Sequence, residues 1–254
     1  MTAARILLLL LLALPARAEQ PQVDLSALLQ RIAAGTPGMG YLVQQRLQSM
    51  TVTSVSEELD AQGRATHTWE RVRRMAEQDG KQESELLRAV DDGQDVTAHK
   101  RAEAERRDAE QAKHGDKASS FELPFTPENQ PRHRFSMVGP DAQDPTKLRL
   151  RFEPASELGP QVMQGEALVD PRSGHVLQLR FSPSKFPSML IDRMDVEMDF
   201  RAHPGVGAVL SRLGVEWEGG LLFFKKRGRS TVTFEDVVFK PAPAPAPIGL
   251  HAAP

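Results

Sequence analysis

Seven histidines stand at positions 67, 99, 114, 133, 175, 203 and 251 of this 254-residue chain. None forms an HExxH pair or any other close pair of ligands on one helix or strand, so they read as isolated surface or turn histidines. No GxSxG elbow, P-loop or GxGxxG follows a strand, and nucleophilic and nucleotide chemistry therefore lack their usual local frame. The acidic run Asp91-Asp92-Gly93-Gln94-Asp95 offers carboxylates to a hard cation. It lacks the alternating oxygen ligands and the distal glutamate of an EF-hand, and a solvated hairpin turn is the simpler reading. The chain has no cysteine, which removes thiolate metal sites, disulfides and a thiol nucleophile. No catalytic residue, metal or cofactor is expected. A hydrolase would need a nucleophile and a base converging in a deep pocket, and nothing in the order of residues suggests one.

Two groups of residues suit binding rather than catalysis. Lys225, Lys226, Arg227 and Arg229 cluster at the predicted tip of a hairpin with apolar stems, where they are candidates for contact with an anionic headgroup or a partner. A charged, solvated turn that protects the sheet is the competing reading. The second group is richer in methionine. Met163, Met189, Met194 and Met198 lie in or beside the best-patterned strands, and flexible thioethers adapt to irregular apolar partners. The predicted lining of a hydrophobic ligand site is Leu177, Leu179, Phe181, Leu190, Met194, Val196, Met198 and Phe200. Packing beneath helices would explain the same residues. The deciding quantity is how much apolar face the helices cover, because a large uncovered patch usually binds something.

The elements that must position these residues are mostly strands. DLSALLQRIAAG carries Leu25, Leu28, Leu29 and Ile32 on one helical face, with Asp24 or Ser26 as cap and Gly35 as stop. A long hairpin follows over 41–75, turning at Ala61-Gln62-Gly63, and ESELLRAVDDGQDVT adds a strand with a tight Asp-Asp-Gly turn. Residues 99–117 have almost no apolar side chain beyond alanine and read as a solvated helical or disordered insertion. After a proline-rich stretch, LRLRF at 148–152 alternates apolar and charged residues. Residues 165–181 form a hairpin around Asp170-Pro171-Arg172-Ser173-Gly174. MLIDRMDVEMDF sets Leu190, Met194, Val196, Met198 and Phe200 against Arg193, Asp195, Glu197 and Asp199. HPGVGAVLSRLG near 206–213 suggests one further helix. VEWEGGLLFFKKRGRSTVTFEDVVF suggests three strands turning at Gly219-Gly220 and near Arg227-Gly228. The tail 241–254 is Ala/Pro-rich and favours polyproline II.

Length, charge and leader bound the remaining classes. Arg5, the apolar run Ile6 to Leu14 and Ala16-Arg17-Ala18 have the form of a signal peptide cleaved after Ala18, too short to remain as a membrane helix. The expected location is the periplasm, with no integral membrane segment in the mature chain. The formal net charge is −2, and loss of Arg5 and Arg17 lowers it by two. Such a balance gives no nucleic-acid-binding face. One domain over 19–240, α+β and mainly antiparallel β, is expected, and a monomer.

The order GEALVDPRSGHVLQLRFSPSKFPSMLIDRMDVEMDF and then GGLLFFKKRGRSTVTFEDVVF resembles the periplasmic outer-membrane lipoprotein-sorting carriers. In those proteins a strand reaches an Asp-x-x-Ser/Thr-Gly turn, here Asp170 to Gly174, and returns into a long strand. The resemblance is specific over 165–239 and implies an incomplete, half β-barrel with short helices covering a concave apolar face that receives acyl chains. It implies a non-catalytic carrier in envelope biogenesis, with a lipid or acylated protein as partner. An envelope protein-interaction or sensor module on the same fold is the alternative.

Overall fold

The computed structural model describes residues 23–35, 46–103, 123–156, 159, 162–186, 188–204, 206–221 and 224–241. The expected signal peptide (1–18), residues 104–117 of the charged insertion and the tail from 242 lie outside the described residues. Residues 99–103 are helical, continuing a helix that begins at 97.

Helix α1 (Leu25–Gly35) starts where Asp24 accepts the Ser26 backbone N–H at 2.9 Å on its side chain and the Leu28 N–H at 2.9 Å on its carbonyl. That is the geometry expected of an aspartate N-cap. Its i, i+4 pair Leu28 and Ile32 is buried. Eleven strands follow: β1 (Leu47–Leu59), β2 (Ala65–Gln78), β3 (Lys81–Asp91), β4 (Gln94–Asp95), β5 (His133–Pro140), β6 (Leu148–Pro154), β7 (Met163–Val169), β8 (Val176–Pro183), β9 (Ile191–His203), β10 (Gly207–Leu221) and β11 (Phe224–Phe239). They make one open antiparallel sheet in the order β4-β3-β2-β1-β11-β10-β9-β8-β7-β6-β5. The sheet is thus two sequential meanders, β1 to β4 and β5 to β11, joined through the pairing of β1 with β11.

Local chemistry fixes the hairpins. The Asp60 carboxylate accepts the backbone N–H groups of Gln62 and Arg64, both at 2.9 Å, and Gly63 supplies a φ of +77°. Asp79-Gly80 and Asp92-Gly93 hold positive φ at both residues, the requirement of a tight two-residue turn between twisted strands.

The two faces of the sheet are chemically distinct because side chains alternate along each strand. One register row on the apolar face runs Leu150, Ala167, Leu179, Met198, Leu213, Val232, Ser54, Arg71 and Ala89 from β6 to β3. The neighbouring row on the opposite face runs Arg151, Glu166, Arg180, Glu197, Gly214 and Thr231. Its first four residues alternate in sign across four strands, and Arg151–Glu166 at 2.8 Å and Arg180–Glu197 at 2.9 Å are ion pairs.

The core sits on the β6 to β9 part of the apolar face. There Leu28 and Ile32 of α1, with Leu123 and Phe125, pack on Leu150, Phe152, Met163, Leu179 and Met198. The proline-rich stretch before β5 therefore supplies core side chains as well.

Both sheet edges are blunted. On β5 the register shifts between Met137 and Gly139, which leaves Val138 as a bulge before Pro140. On β3, Ala89 exchanges hydrogen bonds with Val96 and Thr97, and Arg101 donates to the Leu86 carbonyl at 2.9 Å. Bulges, proline and covering segments are how edge strands avoid pairing with other chains.

Two sequence expectations are overturned here. The stretch 206–213 is the start of β10, not a helix. Ser211 is an extra residue between the Leu210–Phe200 and Arg212–Asp199 pairs, so Leu210 and Leu213 reach the core from one strand at helix-like spacing. The 215–239 stretch holds two strands, not three. Gly219, Gly220 and Gly228 all lie within paired strand, and the hairpin closes between Leu221 and Phe224.

Candidate functional site

The predicted lining residues divide into three groups. Leu179, Phe181 and Met198 are buried in the core cluster, and Val196 and Phe200 pack against it half-buried. Met194 lies farther along the same face of β9, half-buried, opposite Trp217 of β10. Leu177 and Leu190 depart from the expectation. Leu168 pairs with Gln178 while Val169 pairs with Val176, so Leu177 is the extra residue of a bulge and Val176 takes the core position in its place. Leu190 precedes β9 and is 50 % exposed, next to the fully exposed Met189. Its carbonyl accepts the Gly220 N–H at 2.7 Å. A Cβ on Gly219 would fall 2.0 Å from that carbonyl oxygen, so the loop is seated against β10 rather than folded over the core.

What covers the β6 to β9 part of the apolar face is α1 together with Leu123 and Phe125, and the dock of α1 is the Asp170–Gly174 turn. The Asp170 carboxylate accepts the Arg172 N–H at 2.9 Å and the Lys147 ammonium at 2.9 Å. Gly174 holds a φ of +74°, and a Cβ there would lie 2.7 Å from the Arg31 carbonyl oxygen. The Arg31 guanidinium donates to the Pro171 carbonyl, and Gln130 donates to the Leu29 carbonyl at 3.1 Å. The turn was visible in the sequence as a turn. Its partner was not, because nothing local connects residue 31 to residue 174.

Among the described residues, His133 is the buried histidine. Its Nδ1 lies 2.9 Å from the Asn129 carbonyl, and Nε2 accepts the Met163 N–H at 3.3 Å. These partners require a proton on Nδ1 and none on Nε2, the neutral ring. Burial holds its pKa below the ordinary histidine value.

His67 carries the cluster of metal-ligating types among the described residues: its Nε2 is 3.0 Å from Asp91 and its Nδ1 2.5 Å from Asp92. The two ring nitrogens point away from each other, each toward a different carboxylate. The arrangement ties β2 to the β3–β4 turn, where Asp92 also accepts the Thr68 N–H at 2.8 Å.

The basic residues 225–229 sit on the stem of β11, not at a turn. Lys225 pairs with Asp192, Lys226 with Glu58 at 3.2 Å, Arg227 with Glu218 at 3.1 Å and Arg229 with Glu57 at 2.6 Å. Lys226, Arg227 and Arg229 are matched by carboxylates on the adjacent strands β1 and β10, and Lys225 reaches past β10 to Asp192 of β9.

A feature absent from the sequence reading is a groove of about 550 Å³ on the polar face, lined by Arg149, Glu166, Arg180, Asp195, Glu197 and Arg212 among others. Gly214 lines it too, and the Arg212 guanidinium lies 3.5 Å from where a Cβ on that glycine would stand. Arg212 pairs with Asp199 at 3.1 Å and Glu197 at 3.5 Å, and the hydrogen bond to Asp199 raises its pKa further. The alternating charges of β6 to β9 were legible as a wet face. That they line up into a groove follows only from register.

No protein-family model and no curated protein matches the chain. Among solved structures it is similar to a DUF1329 family protein from Desulfovibrio piger, with 9% identity and a TM-score of 0.36 over 86% of this chain and 94% of that one. It is also similar to MucB in complex with MucA(peri), with 12% identity and a TM-score of 0.22 over 87% of this chain and 100% of that one. The Pseudomonas aeruginosa MucA/MucB complex matches with 12% identity, a TM-score of 0.23 and the same coverage. At such identities and scores the likeness assigns neither a family nor a function.

Proposed function

We propose that this chain is an exported, non-catalytic envelope protein that holds a hydrophobic ligand, the acyl part of a lipid or of an acylated protein, on the helix-plugged face of its sheet. The observation that carries this reading is the way α1 is held. Leu28 and Ile32 seal the core over Leu179 and Met198, while the polar contacts from α1 to the turn and the 123–132 stretch are those of Arg31 and Leu29. Burying two such side chains stabilises the docked helix by about 3–6 kcal/mol. Each methylene of an acyl chain contributes about 0.8 kcal/mol on burial, so a chain of about six methylenes competes with the helix for the same face. The half-barrel expected of the lipoprotein-sorting carriers belongs to this proposal, with α1 as the covering helix.

Native mass spectrometry of protein prepared from the periplasm without detergent tests it. A stoichiometric lipid or lipopeptide adduct is the expected result. A bare polypeptide mass that persists after incubation with diacyl lipid would overturn the reading.

The polar groove favours a second reading, an interaction module that receives a charged segment of an envelope protein against the Arg180–Glu197 row. Arg212→Glu would then abolish partner binding while leaving lipid uptake intact.

A further inference from the structure

The half of the apolar face beyond the core has a different composition. Along the central register row Leu179 and Met198 are buried, Leu213 and Val232 are partly buried, Ser54 is partly buried and Arg71 is exposed. The row on one side of it runs Val215, Ser230, Ser56 and Trp69, and the row on the other brings Phe234, Val52 and Arg73 together. From Met198 on β9 to Arg71 on β2 there are four strand steps, about 19 Å at the usual inter-strand spacing. Over that distance the surface passes from hydrocarbon to hydroxyl to cation.

The two arginines differ from four arginines of the polar face. Arg151, Arg180, Arg212 and Arg229 each have a carboxylate partner. Arg71 and Arg73 are exposed and have no hydrogen bond or ion pair among the described residues. The acidic residues nearest them on this face are engaged elsewhere: Asp91 with His67 and Glu58 with Lys226. Ser56 Oγ and Ser230 Oγ share one hydrogen bond at 3.0 Å, and the Ser54 hydroxyl has no partner among the described residues. Both tryptophans of the chain flank this patch. Trp69 meets His67 edge to face at 4.1 Å, and Trp217 lies over Gly228, where a Cβ would fall 2.6 Å from the indole.

We infer that the ligand of the proposed apolar site is an anionic amphiphile, its acyl part on the β8 to β10 side of the row and its phosphate or carboxylate group on Arg71 and Arg73. This rests on the hydrophobic-ligand reading above. Arginines two residues apart on a strand present their guanidinium groups on one face, about 7 Å apart at the backbone. Planar guanidinium forks match the oxygens of a phosphate or carboxylate, and charge-assisted hydrogen bonds are the strong ones. Ser54 and Ser56 add hydroxyl donors between the cations and the apolar side.

Because both tryptophans stand on this face, intrinsic fluorescence reports its occupancy. The test titrates the full chain with dioctanoyl phosphatidic acid, dioctanoylglycerol and glycerol phosphate, in the native protein and in an Arg71→Gln/Arg73→Gln variant whose melting confirms an intact fold. The expected result is that phosphatidic acid binds at least about tenfold tighter than either other probe, a difference near 1.4 kcal/mol. The variant loses that preference and keeps its affinity for dioctanoylglycerol. Equal affinity for phosphatidic acid and dioctanoylglycerol overturns the headgroup assignment and leaves the hydrophobic-ligand reading standing. Glycerol phosphate binding as tightly as phosphatidic acid overturns it in favour of a free-anion site. Failure of all three probes to bind overturns both.

Discussion

Replacing Gly174 with alanine sets the docking of α1 against the geometry of its own dock. The residue holds a φ of +74°, and an added Cβ would stand 2.7 Å from the Arg31 carbonyl oxygen and 2.8 Å from the Arg31 carbonyl carbon. The backbone conformation alone costs a non-glycine residue about 1–2 kcal/mol. Overlap with a packed backbone adds about 1–3 kcal/mol, for about 2–5 kcal/mol together. The apolar docking of Leu28 and Ile32 is worth about 3–6 kcal/mol, so the substitution brings docked and undocked α1 close to equal populations. Gly93→Ala is the control, since Gly93 has a φ of +82° with nothing within 4 Å of the added carbon. Hydrogen exchange reads local opening directly. In Gly174→Ala the amides of Leu28 to Gly35 should exchange at least about tenfold faster than in the native chain, while Gly93→Ala leaves them unchanged. Equal exchange in the two variants would refute the argument that the turn is the dock.

Leu28→Ala should destabilise the protein by about 2–5 kcal/mol in a urea titration, because a buried leucine leaves both lost transfer energy and a cavity. Met198→Glu should prevent folding, whereas Leu177→Glu should be tolerated, a contrast that solubility and circular dichroism of the two variants would reveal. His133 makes its contribution as a neutral ring. With the folded pKa below the unfolded value, that contribution is full above pH of about 6.5 and is lost as pH falls toward the folded value. Replacement by Gln should flatten stability against pH in that acid range while lowering it at pH 7, as read by melts across the series.

The strand-rich architecture was legible because period-two patterning over β6, β8 and β9 is strong and because Asp-Gly and Asp-Pro turns punctuate it. The failures share one physical cause. A bulge adds a residue without leaving a mark in composition, so Leu177 was assigned to the ligand lining on the face where Val176 stands instead, and the i, i+3 spacing of Leu210 and Leu213 imitated a helix. Gly228 was read as a turn residue, yet it serves to receive Trp217 from the neighbouring strand. The basic residues 225–229 looked like a free cluster because their partners Glu57, Glu58, Asp192 and Glu218 lie on three other strands. Arg71 and Arg73, which have no partner among the described residues, were hidden for the converse reason. In sequence they are two more charges in RVRR, and only the register shows which cations have no counterpart.

The pairing of β1 with β11 has a bearing on how the chain is made. Each meander closes through neighbours in sequence, but their junction joins residues more than 160 positions apart. Long-range pairing must meet its loop-closure entropy before it is rewarded, so the junction forms late. During synthesis the long edge of β1 stays open until β11 has emerged. An unpaired edge of that length is a template for other chains. The newly made protein therefore passes through an interval in which the future centre of its sheet, rather than either finished edge, is the surface most exposed to aggregation.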